Sequence, residues 1–273
     1  MEDAEGPRWP VAKQISPTAM RMFQQCPHKT RLRYVDQIVV PEPYSIFLNK
    51  GNIAHDLLAR QARLAAHGKP YLEDAWMLEF AFGRLPLREF PSEEERKYHA
   101  REVVKWVSYG TRQLDRNAQY LYIETYETDK RRIDGEHLYT LNGKPDLVML
   151  HRDHNDEAVL DFVDYKTGKP REDEITPLLL RLIYSNAITF KLGSTSAVRT
   201  RFIWSWLNHA YEDIVELDRE YYEYQWPVVS GELKRLINER EWVAQPSILC
   251  NYCPYQGNHC DQGNGPFPSE SWS

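Results

Sequence analysis

The stretches GKPDLVML (143–150) and DFVDYKTGK (161–169) decide the fold. Asp146 begins one predicted strand, and Asp164 and Lys166 close the next. Residues two apart in a strand project from the same face, so the side chains of Asp164 and Lys166 point in one direction. If the two strands are neighbours, Asp146 meets this pair at one end of a sheet.

This pattern of side chains favours hydrolysis of phosphodiesters. Two carboxylates at a strand end suit a hard divalent cation such as magnesium or manganese. The cation lowers the pKa of bound water, and a lysine beside it can position water and stabilise charge on phosphate. An Asp-x-Lys triplet at a strand end is also typical of a solvated ion pair, so the triplet alone does not decide between the two readings.

Helical and strand-like stretches surround this centre. Ser16-Pro17 and the capping box at Ser92 indicate helix starts, and Asn142-Gly143 and Asn208-His209 indicate the turns of two hairpins. The periodicity predicts helices over 16–35, 51–66, 72–83, 92–114, 178–190 and 218–243. It predicts strands over 119–128, 137–141, 146–151, 158–165, 198–207 and 211–217. The order indicates an α/β or α+β protein with one mixed sheet.

Bulk composition indicates one globular domain. The 273 residues are 42% hydrophobic and 27% charged, which is enough for one substantial core. We expect a flexible leader over 1–14 and a single domain over 15–273. The chain lacks a membrane-spanning apolar run and begins with an acidic, polar segment, so we expect an intracellular protein. The net charge of −6 disfavours bulk coating of nucleic acid but permits a basic groove.

Four cysteines lie at the two ends of the chain. Three form C-x2-C-x6-C near the C-terminus, and the fourth lies near the N-terminus. Free structural thiols, two disulfides and a four-cysteine metal site are the alternatives, and a polar loop in an intracellular protein favours the metal. Spacing does not choose between zinc and an iron–sulfur cluster. Either a zinc ion or an iron–sulfur cluster would link the C-terminal tail to the N-terminal helix. The four residues are Cys26, Cys250, Cys253 and Cys260.

Five motifs in this order resemble RecB-type nuclease domains of the PD-(D/E)xK superfamily. The likeness is greatest to the iron–sulfur branch, which includes the AddB nuclease domain and small CRISPR-associated or phage-encoded RecB-like exonucleases. It extends from about residue 15 to residue 262. The motifs are ISPTAMRMFQQCP (15–27), GNIAHDLL (51–58), GKPDL (143–147), VDYKTGK (163–169) and the terminal cysteines.

The resemblance implies a restriction-endonuclease-like fold, with a mixed central sheet flanked by helices and a Cys-rich iron–sulfur element that joins the 244–262 tail to the N-terminal helix. It implies a Mg²⁺- or Mn²⁺-dependent DNA nuclease, expected to act as an exonuclease on single-stranded DNA or free ends. The implied metal ligands are His55, Asp146, Asp164 and the backbone carbonyl of Tyr165. The implied catalytic residues are Lys166 and Tyr184 beside the two aspartates. The implied ligands of a 4Fe–4S cluster are the four cysteines.

The chain departs from the family pattern at one position. The family has Q-x-x-x-Y on the helix after the lysine, and here Tyr184 is preceded by Leu180 in place of the glutamine. Arg181 is a candidate to supply a phosphate contact instead. Lys29 and Arg31 are further DNA-contact candidates, although a solvated helix face explains them equally well. Because Leu180 replaces the family glutamine, an alternative function stays open, that of a catalytically silent subunit that binds DNA or a partner. A homo-oligomer and recombination or CRISPR partner proteins are compatible with the family.

Overall fold

The computed structural model describes residues 6–41, 44–170, 199–217 and 219–262. The helices are α1 (Pro17–Gln25), α2 (Pro27–Thr30), a π-helical segment (Arg31–Val35), α3 (Ile46–Ala66), α4 (Asp74–Arg84), α5 (Glu93–Thr111) and α6 (Arg219–Asn238). The strands are β1 (Gln119–Ile123), β2 (Glu127–Arg132), β3 (Leu138–Gly143), β4 (Leu147–Arg152), β5 (Ala158–Lys166), β6 (Arg199–Trp206) and β7 (Tyr211–Glu216). Short 3₁₀ segments cover Leu87–Glu89 and Ile248–Tyr252.

A mixed five-stranded sheet lies at the centre, in the order β1-β4-β5-β6-β7. β5 and β6 are parallel, and the other neighbouring pairs are antiparallel. One face packs against α3, α4 and α5 through residues such as Leu57 and Val103. The other face packs against α1, α6 and a separate two-stranded sheet, through residues such as Phe23 and Leu233. Since both faces are covered, β5 is buried everywhere except at its ends.

The predicted hairpin at Asn142-Gly143 is wrong. β3 pairs with β2 in the small sheet, whereas β4 pairs with β1 and β5 in the large one. Gly143 is the last residue of β3 and lies opposite Glu127, so the chain crosses between sheets where a turn was expected. The hairpin turn of the small sheet instead contains Asp134, whose carboxylate accepts the backbone N–H groups of Glu136 and His137.

Two predicted elements are interrupted in the structure. The strand predicted over 119–128 ends at Ile123, because the next residue, Glu124, has a left-handed φ of 53°. The helix predicted from Ser16 breaks at Cys26, whose extended backbone precedes Pro27. A proline favours an extended conformation in the residue before it, so the chain starts a new helix there. The predicted β6–β7 hairpin is confirmed.

Two glycines bring α3 close to its neighbours. A Cβ atom at Gly110 of α5 would lie 2.7 Å from Leu58 Cδ2 of α3. A Cβ atom at Gly51 of α3 would lie 3.1 Å from the Thr167 hydroxyl oxygen, just after β5. The absence of side chains at these two positions therefore sets how closely α3 approaches α5 and the carboxyl end of β5.

None of the helices in the described part of the chain combines the length and apolar composition that crossing a membrane requires.

Candidate active site

The register of β4 and β5 brings the two sequence motifs together. Leu147 lies opposite Val163, which sets Asp146 beside Asp164 at the same end of the sheet. Both aspartates are buried, at 8% and 6% exposure. Lys166 Nζ lies 2.5 Å from Asp164 Oδ2, so the lysine is held in an ion pair within the site.

Asp146 is fixed by two contacts from opposite sides. His55 on α3 reaches it from the helical layer, with 3.0 Å between His55 Nδ1 and Asp146 Oδ1. The backbone N–H of Tyr165 donates to Asp146 Oδ2 at 2.6 Å. The Tyr165 ring also makes an edge contact with the imidazole, with 6.3 Å between ring centroids. These contacts leave the carboxylate little freedom to rotate.

Glu124 joins the site although the sequence analysis did not select it. Its backbone N–H donates to the Asp146 carbonyl oxygen at 3.0 Å, and its carboxylate lies 3.6 Å from His55 Nδ1. Lys144 forms an ion pair with the same carboxylate. No motif in the sequence marks Glu124, because its position depends on the β1–β4 pairing. The left-handed backbone of a non-glycine residue is a strain often found at functional sites.

Three side chains converge closely enough to hold a metal ion. One ligand atom from each of His55, Glu124 and Asp146 lies within 4.8 Å of the other two. Two carboxylate oxygens and an imidazole nitrogen suit a divalent cation, so the donor set fits the metal that the sequence implied. Asp164 is not part of this group and instead contacts Lys166.

The pKa values reflect crowded opposite charges. Burial lowers the pKa of His55, but the charge and hydrogen bond of Asp146 outweigh burial and raise it to about 10. Burial raises the pKa of Glu124, but hydrogen bonds from His55 and Lys144 bring it down to about 2. Burial opposes the charge of Lys166, yet the charges of Asp164 and Asp146 raise its pKa. A bound cation would supply the positive charge that a proton on His55 supplies otherwise.

The four cysteines line one cavity between the start of α2 and the C-terminal tail. All four are free thiols, which rules out the two disulfides considered from the sequence. The backbone N–H of Lys29 donates to Cys26 Sγ at 3.5 Å, and that of Ser247 donates to Cys250 Sγ at 3.4 Å. Within the described residues, no three of these sulfurs lie within 4.8 Å of one another.

The remaining sequence candidates gain no catalytic contact from the structure. Lys29 lines the cysteine cavity, and Arg31 pairs with Asp36 at 3.1 Å. The carbonyl of Tyr165 as a metal ligand stays a prediction. The positions 180, 181 and 184 lie outside the described residues, as does the helix predicted over 178–190.

One of the comparisons with known proteins identifies the family. A sequence model of the PD-(D/E)XK nuclease superfamily matches residues 14–258, and the mixed sheet flanked by helices is consistent with its fold. No curated protein matches the chain significantly. Among solved structures, the chain is similar to one titled "Crystal structure of SSO0001", with 13% identity and a TM-score of 0.32. That similarity covers 84% of this chain and 92% of the other, and we draw nothing about the site from it.

Proposed function

The chain belongs to the PD-(D/E)XK nuclease superfamily, and from this premise we propose that it is a metal-dependent deoxyribonuclease that degrades DNA from free or single-stranded ends. The superfamily supports phosphodiester hydrolysis. The observation that carries the proposal is the convergence of His55, Glu124 and Asp146 beside the Asp164–Lys166 ion pair. Action on DNA ends is the finer part of the proposal, supported by the order of motifs shared with RecB-type exonucleases.

The proposed metal ligands are His55, Glu124 and Asp146, with Asp164 adjacent. Magnesium or manganese bound there would act as a Lewis acid toward the phosphodiester and offset the charge of the carboxylates. His55 and the Tyr165 N–H hold Asp146 in one orientation. This orientation is set before substrate arrives, so no free energy is spent on rotating the ligand during the reaction.

Lys166 is the proposed catalytic cation. Its raised pKa keeps the ammonium group protonated at neutral pH, with Asp164 holding it in place. A protonated lysine can donate to an attacking water and to a phosphate oxygen, but it cannot accept a proton. Lys166 therefore orients water and stabilises the negative charge that builds on the phosphate.

A 4Fe–4S cluster is the proposed occupant of the cysteine cavity. A zinc ion bound by four sulfurs at about 2.3 Å needs all of them roughly 3.8 Å apart, whereas no three of these sulfurs in the described residues lie within 4.8 Å of one another. A cluster places its cysteines on different iron atoms, which suits wider separations around one cavity. All four cysteines line this one cavity, which supports their acting as a single ligand set. The cluster would have a structural role, because its ligands belong to the chain ends and not to the β4–β5 site.

The test of function is cleavage of end-labelled single-stranded DNA by anaerobically purified protein with Mg²⁺ or Mn²⁺. We expect cleavage by the parent and at least about 100-fold less by Lys166→Ala, a loss of roughly 2.7 kcal/mol in transition-state stabilisation. Lys169→Ala is the matched control, because Lys169 is exposed and follows the site by three positions. Labels at the 5′ and 3′ ends give the polarity. A folded parent that binds DNA but never cleaves it would favour the silent binding subunit.

A further inference from the structure

A groove of about 660 Å³ lies between α5 and the turn that joins β6 to β7. Trp106 of α5 and Asn208 of the turn contact each other at its base, with 3.2 Å between Trp106 Nε1 and Asn208 Oδ1. Arg101 and Lys105 also line a second groove between α4 and α5, so the concave surface continues along the helix. The metal-binding group lies outside the lining of both grooves.

The groove begins next to the proposed catalytic lysine. Leu207 lines the groove, and its backbone N–H donates to the Lys166 carbonyl oxygen at 2.8 Å. The residue after Lys166, Thr167, touches the start of α3, which in turn contacts α5 through the Lys50–Glu102 ion pair of 2.9 Å. Leu207 therefore connects the carboxyl end of β5 directly to the lining of the groove.

Three cations on one stripe of α5 face this groove. Arg101, Lys105 and Arg112 are exposed and line it. The side chains of these three residues make no ion pair or hydrogen bond within the part of the chain that the structure describes. Spacings of four and seven residues put them on one side of the helix, about 6 Å and about 10.5 Å apart along its axis.

The carboxylates in the same groove are already engaged. Glu102 is paired with buried Lys50, which is 3% exposed, and with His99 at 2.7 Å. Asp74 accepts a hydrogen bond from the Ser108 hydroxyl at 3.4 Å. The Ser108 hydroxyl is neutral and does not offset the charge of Asp74, so the groove holds three cations against one carboxylate, a local reversal of charge in a protein with a net charge of −6. Such a reversal attracts an anionic chain to that groove.

We propose that this groove binds the phosphate backbone of single-stranded DNA next to the site that cleaves it. The positions of the three cations are separated along the helix axis, so their long side chains can reach different phosphates of one extended strand. Tyr98, which is 57% exposed, and Tyr109 lie on the same helix and offer rings for base stacking. The groove proposal rests on the proposed nuclease function for its substrate, and it adds the route that the strand takes.

The test measures how DNA affinity depends on salt. The probe is a fluorescein-labelled oligothymidylate, followed by anisotropy in calcium buffer so that no magnesium or manganese is supplied for cleavage. The triple variant Arg101→Gln, Lys105→Gln, Arg112→Gln loses three phosphate contacts. Each contact on a single strand contributes about 0.7 to the slope of log affinity against log salt, so the slope should fall by about 2.

A matched triple variant removes three exposed positive charges elsewhere, at Arg63, Lys69 and Lys234. It should keep the parent slope. Both triple variants should hydrolyse the small ester bis(p-nitrophenyl) phosphate as the parent does, because that molecule is too short to reach the groove. Loss of this activity only in the groove variant would mean that the substitutions disturb the β5 end, and would overturn the assignment.

The two proposals can fail separately. If the parent cleaves DNA and the two triple variants share its salt slope, the groove proposal is wrong and the nuclease stands. An acidic protein segment as the true occupant would give this same result. If the parent never cleaves DNA, but only the groove variant has a smaller slope of log affinity against log salt, the binding groove stands and the nuclease proposal fails.

Discussion

At the scale of single residues, Glu124 has a left-handed backbone conformation and also belongs to the candidate metal-binding group. Its carboxylate, with a pKa of about 2, is charged at neutral pH and lies within reach of His55 and Lys144. If it is a metal ligand, Glu124→Gln removes a charged oxygen donor without changing the size of the side chain. We expect the affinity for Mn²⁺, measured by calorimetry, to fall by at least about tenfold, the lower limit found when supporting groups of metal sites are removed.

The control for this variant is Glu136→Gln, since the Glu136 side chain is 84% exposed. It should bind Mn²⁺ as the parent does. Unchanged Mn²⁺ affinity in folded Glu124→Gln protein would remove Glu124 from the proposed ligand set and leave it as an ion-pair partner of Lys144 and His55.

Part of this site could be predicted from the sequence, and the rest could not. Asp164 and Lys166 could be placed together because a strand repeats every two residues, and Asp146 followed from the pairing of adjacent strands. His55 and Asp146 are 91 positions apart, and their contact depends on how α3 packs on the sheet. Local periodicity contains no information on that packing. His55 could therefore be predicted only from a family motif, and Glu124 could not be predicted from the sequence.

At the scale of elements, a local turn signal gave a wrong hairpin prediction, because the pairing of the strands in the folded protein determines which strands are neighbours. Asn-Gly is the strongest short-range hairpin signal, yet here it ends β3 while the chain moves to the other sheet. Burial accompanies this outcome, since the first three residues of β4, Leu147, Val148 and Met149, are buried where the strand lies between β1 and β5. The β6–β7 hairpin agreed with its turn signal because both strands belong to one sheet.

Helix packing gives a prediction at this scale. Gly110→Ala would place a methyl group 2.7 Å from Leu58 Cδ2 and 3.1 Å from Leu207 Cδ2, so these two buried side chains must shift. We expect the free energy of unfolding, measured with urea, to fall by about 1–3 kcal/mol. Nuclease activity should fall as well, because α3 carries His55 and Leu207 is bonded to Lys166.

Gly83→Ala is the matched control for this prediction, because it lies in helix α4 with nothing within 4 Å of the added methyl group. Alanine there should stabilise the protein by roughly 0.5–1 kcal/mol through its helix propensity. Equal stability changes at the two glycines would show that helix propensity, and not the close approach of α5 to α3, governs position 110.

At the scale of the whole molecule, the two ends of the chain are packed together independently of any cluster. The indole N–H of Trp242 donates to the Pro7 carbonyl at 2.6 Å, and its ring packs edge-on against Phe23. The Tyr255 hydroxyl donates to the Ile38 carbonyl at 3.0 Å. The sequence indicated that the cysteines join the ends, but it contained no signal for these contacts, which depend on buried aromatic residues far apart in the chain.

Cys253→Ser tests how much the proposed cluster adds to this packing. Cys26 and Cys250 are 224 positions apart (250 − 26), and closing a loop of that length is associated with about 5 kcal/mol of unfolded-state entropy in the cross-link model. We expect the variant to lose its bound iron and to become insoluble or to melt far below the parent, as measured by iron content and anaerobic thermal denaturation. Asn251→Ser, an exposed substitution in the same loop, should keep both iron and melting temperature.

The direct contacts of Trp242 and Tyr255 could hold the tail without a cluster, which gives the Cys253→Ser experiment a second outcome. If they alone hold the tail, Cys253→Ser would stay soluble, iron-free and as active as the parent, and the cluster would have no structural role. A variant that loses iron and stability but keeps activity in the folded fraction would instead place the whole effect on folding. That second result is the one expected, because the proposed cluster ligands come from the chain ends, whereas the candidate metal-binding group comes from α3, the β1–β2 connection and the β3–β4 connection.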